Sequence, residues 1–409
     1  MENKRQSSNN VQGQSSNPPI VQSSDFVPVN EPLLDGNEKK YLNECIDTGW
    51  ISSEGPFVKK FEEGFSSFTG VKHGIAVCNG TAALETALYS LGVGKDDEVI
   101  MPAFTIISCA TACIRLGARP VLVDIEPETW TMDVEKLRIK IEDEIEVKGN
   151  KKLKVIMPVH IYGHPVDMDG IFVLAEKYNL KILEDAAEVH GAEYFSKYKG
   201  SKWLKCGAMG DAAATSFYAN KIITTGEGGM VLTDNGHYAE RAKSYRNLCF
   251  KQEKRFYHTE LGYNFRLTNL QAAVGMAQLE QINRFIDIKV RLGEYYRKKL
   301  AGVEGLRFMP VKEYAKSVYW MFGVELYDKL GITAEDMMDR LKKRGIGTRP
   351  FFRGLHDQPV LKEMGLFVDG KYPKTDYAYK YGFYLPSGLT LTEEKIDKVV
   401  SALKEELKR

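Results

Sequence analysis

The hydrophobic pattern between residues 73 and 235 alternates between two periods. Short apolar runs, typical of buried strands, are separated by stretches whose apolar residues recur at a spacing of three and four, as on one face of a helix. The predicted strands are HGIAVC, DEVIMPA, RPVLVDI, KVIMPVHIYG and KILEDAAE, and the predicted helices are TAALETALYSLG, TIISCATACIRLG and DMDGIFVLAEKYN. This alternation predicts an α/β fold with a large, mostly parallel sheet covered by helices. Ligands of such sheets bind at the carboxyl ends of the strands.

The two ends of the chain differ from this central region. Residues 1–27 are rich in Ser, Asn, Gln and Pro and poor in large apolar side chains, so they are predicted to form a disordered tail. A helical pattern over residues 268–300 is followed by a smaller α+β pattern. We therefore expect a large domain over residues 28–280 and a small C-terminal domain over residues 281–409.

Composition narrows the class of protein. Hydrophobic residues make up 43% of the chain, charged residues make up 27%, and the formal net charge is +1. These values are ordinary for a soluble protein, and a balanced charge argues against a nucleic-acid or membrane partner. The N-terminus is polar and lacks the apolar core of a signal peptide. A cytoplasmic protein is therefore expected.

The cysteines and histidines do not predict a metal site. The six cysteines contain no CxxC pair, so neither a zinc site nor a disulfide framework is indicated, and Cys109 and Cys113 are expected on one buried helix face. His160 and His164 are four apart, but Pro165 and the turn residues between them place them at a strand end. They are expected to be hydrogen-bonded structural residues.

Two polar segments that follow predicted strands carry candidate chemistry. Gly80 and Thr81 open a helix, where free N–H groups and a hydroxyl suit an anion, although an ordinary helix cap is the commoner explanation of such a segment. Asp185 ends a strand and could pair with a protonated ring nitrogen, and Glu188 could reach the same ligand. Acidic residues that simply start a helix explain that segment about equally well.

A third segment, from Ser216 to Met230, contains the strongest candidate. Lys221 lies between an apolar strand and a glycine-rich run. In a pocket of low dielectric constant the pKa of a lysine falls, and its neutral amine can form a Schiff base. Ser216 precedes it by five residues and could bind a phosphate. The apolar flanks favour a catalytic lysine over a solvated one.

These segments, with several others, resemble the DegT/StrS-type sugar aminotransferases, which are fold-type-I pyridoxal-phosphate enzymes. The resemblance covers nearly all of the chain after the tail. It is carried by the runs TGWISSEGPFVKKFE, CNGTAALETAL, EDAAE, SFYANKIITTGEGGMVLT, GYNFRLTNLQAAVGMAQLE and RPFFRGLHDQP.

The resemblance implies a role for each chemical group. Lys221 would hold pyridoxal 5'-phosphate as a Schiff base and move a proton to and from the sugar carbon. Asp185 would pair with the pyridine nitrogen, and Glu188 would contact the ring hydroxyl. Some family members carry His at the position of Lys221 and act as dehydratases, so the lysine implies transamination.

The remaining residues that the resemblance implies bind phosphate or substrate. Gly80, Thr81 and Ser216 would bind the cofactor phosphate. Asn264 would reach the phosphate of the neighbouring subunit's cofactor, which implies a homodimer with shared active sites. His356 is a candidate for substrate contact across the same interface.

One position departs from the family pattern. An aromatic residue often follows the threonine of MPAFTIIS and stacks on the pyridine ring, whereas this chain has Ile106 there. Ring packing is then aliphatic, or Phe104 compensates.

The resemblance also implies the substrates. Glutamate would donate an amino group to a keto-sugar carried on a nucleotide, with GDP-4-keto-6-deoxymannose favoured. The alternative substrate is a dTDP- or UDP-linked keto-sugar. A less favoured alternative function is that of a regulatory protein that binds the cofactor without turnover.

Overall fold

The computed structural model describes residues 25–251, 254 and 256–408. The helices are α1 Glu38–Thr48, α2 Pro56–Thr69, α3 Gly80–Ser90, α4 Ser108–Arg115, α5 Val134–Glu142, α6 Met168–Tyr178, α7 Gly236–Arg246, α8 Asn269–Glu280, α9 Ile282–Leu300, α10 Ala334–Lys343, α11 Pro359–Glu363, α12 Pro373–Tyr381 and α13 Glu393–Leu407. The strands are β1 His73–Val77, β2 Glu98–Pro102, β3 Arg119–Val123, β4 Leu153–Ile156, β5 Lys181–Asp185, β6 Glu193–Ser196, β7 Lys202–Lys205, β8 Ala212–Ser216, β9 Gly229–Thr233, β10 Leu306–Phe308, β11 Ala315–Lys316, β12 Phe322–Leu326, β13 Arg349–Pro350 and β14 Gly382–Leu385.

A seven-stranded sheet forms the centre of the larger part of the chain. Its strand order is β1-β9-β8-β5-β4-β2-β3. The pairs from β8 to β3 are parallel, and β9 runs antiparallel to both of its neighbours, β1 and β8. Six of these strands therefore share one direction, which confirms the predicted α/β fold. β9 was not expected to be antiparallel, because its apolar run shows burial but not direction.

The register of the central strands brings the candidate residues together. Asp185 at the end of β5 lies opposite Ala214 of β8, and Ser216 at the end of β8 lies opposite Gly229 of β9. Gly229 also pairs with Val77, the last residue of β1. The carboxyl ends of β1, β5 and β8 therefore meet on one edge of the sheet.

Two predicted elements have different bounds in the structure. The run KVIMPVHIYG forms a strand only over β4, which ends at Ile156 shortly before Pro158. The helical pattern over residues 268–300 forms two helices, α8 and α9, which meet at Gln281. Thr268 starts α8 with a capping box in which its hydroxyl accepts the Gln271 N–H.

A second sheet with its own apolar core follows α9. Its order is β10-β12-β14-β13, all pairs are antiparallel, and α10 and α13 pack near it. Val324 and Phe383 are fully buried there. Val27 pairs with Ile346 beside this core, so the described chain is ordered from there on, and the predicted tail lies almost entirely outside the described residues. We retain the division into domains over residues 28–280 and 281–409 as a proposal.

Among the residues that the structure describes, no helix is both long and apolar enough to cross a lipid bilayer.

A buried lysine on α9 joins three segments within the second part of the chain. The Nζ of Lys289 donates hydrogen bonds to the backbone carbonyls of Trp320, at 2.6 Å, and Ser387. Lys289 is 3% exposed, and burial lowers its pKa to about 7. The carbonyl of Trp320 is thereby fixed just before β12, close to the candidate site.

The pH dependence of stability tests this buried lysine. An unfolded lysine titrates near pH 10.4, so between pH 7 and pH 10 the unfolded chain binds a proton that the folded chain does not. The free energy of unfolding of the wild-type protein, relative to Lys289→Met, should therefore rise with pH, by up to about 1.4 kcal/mol per pH unit. Urea unfolding of both proteins at several pH values measures the difference. A difference that stays constant over this range would show that Lys289 remains protonated in the folded state.

Candidate active site

A cavity of about 400 Å³ opens at the carboxyl ends of β1, β5 and β8. Its wall includes six of the residues that were singled out in the sequence: Gly80, Thr81, Asp185, Glu188, Ser216 and Lys221. These residues come from three segments, the first and last of which are more than 130 positions apart, and the arrangement of the strands in the sheet brings them together.

The amine of Lys221 lies in this cavity next to a carboxylate and an aromatic ring. Its Nζ is 3.8 Å from Oε1 of Glu188 and 3.8 Å from the centre of the Trp320 ring. The side chains of Lys221 and Glu188 are 11% and 9% exposed. The carbonyl of Asn220, one residue before, accepts hydrogen bonds from the Trp320 indole at 2.7 Å and from the Asn30 amide at 3.3 Å. The backbone that carries the amine is thus anchored from two sides.

Burial brings both members of the Lys221–Glu188 pair towards neutrality. It lowers the pKa of Lys221, and the charges of Glu188 and Asp185 only partly oppose the change. It also raises the pKa of Glu188 to about 7, against the attraction of Lys221 and the hydrogen bond from the Tyr162 N–H. Loss of water therefore outweighs mutual attraction at this pair. A lysine with a lowered pKa holds a larger fraction of the nucleophilic free amine at neutral pH.

Asp185 is the last residue of β5, and both of its carboxylate oxygens accept hydrogen bonds. Its Oδ1 accepts the Ala187 N–H at 3.1 Å, and its Oδ2 accepts the Cys109 thiol at 3.2 Å. The neighbouring Glu184 lies on the opposite face of the strand, where it accepts the N–H groups of Gly207, at 2.8 Å, and Met209, at 2.6 Å. Alternation along the strand thus directs one acid into the cavity and uses the other for structure.

The opposite end of the cavity is suited to an anion. The side chain of Asn79 caps α3 by accepting the Ala82 N–H at 2.8 Å, and the N–H groups of Gly80 and Thr81 belong to the first turn, where a helix offers no acceptor of its own. A Cβ on Gly80 would lie 2.9 Å from the Cβ of Ser216, so only glycine lets the helix start so close to β8. The Asn79 segment therefore caps the helix in the ordinary way and also presents the N–H groups of Gly80 and Thr81 to an anion.

Aromatic side chains from the second part of the chain close the cavity. Trp320, Phe352 and Tyr384 line it, while Ile106 lines it and remains 46% exposed. Phe104 is fully buried behind the wall and packs on Phe351 and Phe352 rather than facing the cavity. The alternative that Phe104 compensates for Ile106 is therefore wrong, since the aliphatic side chain itself faces the ligand space.

Two predicted site residues lie away from this cavity. Asn264 is exposed in a segment that pairs with Asn247, and it does not line the cavity of its own chain. His356 is buried outside the cavity, with its Nε2 2.8 Å from Oδ1 of Asp376 and its ring against Tyr372. A contact of His356 with substrate has no support within one chain.

The remaining histidine predictions are confirmed by hydrogen bonds. His160 accepts the Val166 N–H on Nδ1, so its Nε2 carries the hydrogen and donates to Glu184 at 3.0 Å. His164 accepts the Lys312 N–H on Nε2 at 3.2 Å and donates from Nδ1 to the Pro165 carbonyl at 2.8 Å. Both rings are fully buried structural groups.

Several residues of the cavity wall were missed in the sequence. Ser108, which accepts the Thr81 hydroxyl at 2.8 Å, and Thr105 lie within a run that read as apolar helix. Trp320 lies just before β12, in the region that the sequence describes only as a smaller α+β pattern. Glu227 lies in the glycine-rich run, where a charged residue among three glycines was the available signal.

The polar groups of this cavity match the chemical groups of pyridoxal phosphate. The α3 cradle with Ser216 suits a dianionic phosphate, the carboxylate of Asp185 suits a protonated ring nitrogen, and the amine of Lys221 suits an aldehyde. All of them face one cavity of about 400 Å³. The geometry thus defines a fold and site of the pyridoxal-phosphate transferase class.

Comparisons with known proteins give the family. The model of the DegT/DnrJ/EryC1/StrS aminotransferase family matches residues 32–404, and the chain belongs to this family. The GDP-perosamine synthase of Caulobacter vibrioides is 39% identical over 378 residues, which are 92% of this chain and 97% of that protein. The GDP-perosamine synthase of Escherichia coli O157:H7 is 37% identical over 386 residues, 93% and 98% of the two chains.

Solved structures agree with this assignment. That of S. venezuelae DesV has a TM-score of 0.82 and 29% identity, and the match covers 91% of this chain and 95% of DesV. That of DesI has a TM-score of 0.83 and 26% identity, and it covers 95% and 94%. The predictions of a pyridoxal-phosphate-dependent sugar aminotransferase, and of pyridoxal 5'-phosphate as its cofactor, are confirmed.

The electrostatic link between Lys221 and Glu188 can be measured without cofactor. Glu188→Gln removes the nearby negative charge that partly offsets burial, so the pKa of Lys221 should fall further, by up to about 3 units for a charge at this distance in a medium of effective dielectric constant of about 20. Competitive acetylation of the cofactor-free protein across a pH series, followed by peptide mass spectrometry, reports the pH midpoint at Lys221.

Glu227→Gln is the matched control, because it neutralises another carboxylate of the cavity wall without touching the Lys221–Glu188 pair. Equal midpoints in wild-type and Glu188→Gln protein would mean that Glu188 does not influence the amine.

Proposed function

We propose that this enzyme transfers the amino group of glutamate to the ketone of GDP-4-keto-6-deoxymannose and so forms GDP-perosamine. The observation that carries the transfer chemistry is the placement of the buried Lys221 amine, Glu188 and Asp185 around one cavity. The choice of sugar and nucleotide is supported by relatives of 36–39% identity that are named GDP-perosamine synthases and match this chain over more than nine-tenths of its length.

The residues of the cavity divide the chemical work. When bound, pyridoxal phosphate supplies an aldehyde that condenses with primary amines and a ring that withdraws electrons from the attached carbon. Lys221 would supply the free amine that holds the cofactor aldehyde, and it would carry a proton to and from the sugar carbon. Asp185 would keep the ring nitrogen protonated, and Glu188 would contact the ring hydroxyl. The residues that hold the phosphate are Gly80, Thr81 and Ser216.

A second copy of the chain is part of this proposal. Asn264 is exposed and lies outside the cavity of its own chain, as a residue that serves a neighbour's site would. Near it in sequence, the apolar side chains of Leu261 and Tyr257 are also exposed, which favours their burial against another protein surface. We therefore propose a homodimer in which Asn264 approaches the partner's cofactor phosphate, with any contact of His356 to substrate confined to that interface.

A cytoplasmic location completes the proposal, in keeping with six cysteines that are all free thiols. The alternative substrate is a dTDP- or UDP-linked keto-sugar. It is favoured by the likeness to DesI, whose structure was determined in the presence of its TDP-sugar product.

The substrate assignment is tested with a panel of nucleotide-linked 4-keto sugars and glutamate as donor. We expect GDP-4-keto-6-deoxymannose to give the highest kcat/KM, with the amine in the product identified by mass. A dTDP- or UDP-linked sugar that is turned over faster would move the assignment to the alternative. A product that has lost a hydroxyl group as water, without incorporation of nitrogen from glutamate, would indicate dehydration instead.

The role of Lys221 is tested separately. Borohydride treatment of the wild-type protein should attach the cofactor irreversibly to the peptide that contains Lys221, and Lys221→Ala should lower transamination by at least about a thousandfold, since both the attack and the proton transfer are lost. Lys205→Met, which removes an amine that donates to the Phe68 carbonyl away from this cavity, serves as the comparison. Turnover by Lys221→Ala at the wild-type rate would contradict the assignment.

A further inference from the structure

Asp185, the acid at the ring end of the cavity, is held by a buried hydrogen-bonded chain that runs from Thr105, just before α4, through Cys109 on that helix. Oδ2 of Asp185 lies 3.2 Å from the sulfur of Cys109, and that sulfur lies 3.3 Å from the hydroxyl oxygen of Thr105. Cys109 is fully buried, and Asp185 and Thr105 are 3% and 2% exposed. Little water competes for these bonds.

The direction of this chain follows from the inventory of hydrogens. A carboxylate only accepts hydrogen bonds, so the single thiol hydrogen of Cys109 goes to Asp185. The Thr105 hydroxyl must then donate to the sulfur of Cys109. Burial, with the nearby charge of Asp185, raises the pKa of Cys109 well above its usual value, so the group remains a thiol and hence a donor.

Both oxygens of Asp185 are thereby oriented. Oδ1 accepts the Ala187 N–H and Oδ2 accepts the Cys109 thiol. Each carboxylate oxygen has room for a further hydrogen bond, and Asp185 lines the cavity, so its remaining capacity is available to a ligand there. The residue before Cys109, Ser108, accepts the hydroxyl of Thr81 at the anion-binding end. The first turn of α4 thus contacts residues at both ends of the cavity.

We propose that Cys109 is a positioning residue of this aminotransferase, whose thiol holds the Asp185 carboxylate in the orientation that receives the ring nitrogen of the cofactor. This inference rests on the function proposed above for Asp185. It assigns a purpose to a thiol that the sequence alone presents as a small core residue beside Cys113. Cys109 does not itself contact the cavity.

Three variants separate positioning from packing. Cys109→Ala removes the donor, Cys109→Ser keeps a hydrogen-bond donor at the same place, and Cys113→Ala removes a fully buried thiol from the same helix without affecting Asp185. A hydrogen bond to a charged group is worth about 1.5 kcal/mol, so Cys109→Ala should weaken binding of pyridoxal phosphate to the cofactor-free protein about tenfold. Cys109→Ser should stay within about threefold of wild type, and Cys113→Ala should match wild type.

A spectroscopic measurement tests the contact without any cofactor. The S–H stretching band of Cys109 is obtained by subtracting the infrared spectrum of cofactor-free Cys109→Ser protein from that of wild type. In Asp185→Asn the acceptor loses its charge, so the hydrogen bond weakens and the band should move to higher frequency.

The outcomes are distinct. A shifted band together with weaker binding in Cys109→Ala, restored in Cys109→Ser, supports the proposal. A band that does not move in Asp185→Asn overturns it, as does equal cofactor affinity of the Cys109→Ala and Cys113→Ala proteins. Wild-type protein that binds no pyridoxal phosphate would overturn the proposed function instead, and the infrared comparison would still decide whether Cys109 holds Asp185.

Discussion

The site depends on the balance between burial and attraction at a single amine. Lys221 and Glu188 face each other across 3.8 Å in a cavity with little access to water. Burial lowers the pKa of the amine and raises that of the carboxyl to about 7, so desolvation has the larger effect on both groups. An exposed lysine would be protonated at neutral pH and unreactive. A lysine buried without Glu188 and Asp185 nearby would lack the carboxylates that orient the cofactor.

The fold holds the groups around this amine in place. Parallel strands place Asp185 and Ser216 on one sheet edge, and α3 adds the anion cradle at Gly80. The second part of the chain excludes water, because Trp320 covers the amine while its indole N–H fixes the Asn220 carbonyl. Lys289 in turn holds the Trp320 carbonyl. The reactive amine is therefore positioned by residues from both parts of the molecule.

Much of this arrangement was predictable from the sequence, for identifiable reasons. The alternation of strand and helix patterns gave the sheet, and the rule for strand ends placed Asp185, Ser216 and Lys221 on one edge before any coordinate was known. Family resemblance supplied the cofactor. Long-range register was not predictable: nothing local in an apolar run shows that β9 is antiparallel, and the pattern of α8 and α9 does not reveal the break at Gln281.

The missed site residues share a physical cause. Cys109 and Thr105 lie in a run whose apolar character predicts burial, and burial hides the hydrogen bonds that buried polar groups make. Trp320 is 99 positions beyond Lys221 in the chain, so its contact with the amine depends on tertiary packing that no local pattern shows. Phe104 illustrates the reverse error, since an aromatic residue close in sequence to the site is turned away from it.

The most direct test is a crystal structure of the protein with pyridoxal phosphate bound. We expect continuous density from the Lys221 amine to the cofactor, with the ring nitrogen within hydrogen-bond distance of Asp185 and the phosphate at Gly80, Thr81 and Ser216. A cofactor bound elsewhere, or a ring nitrogen that meets no carboxylate while the Lys221 amine points into solvent, would contradict it.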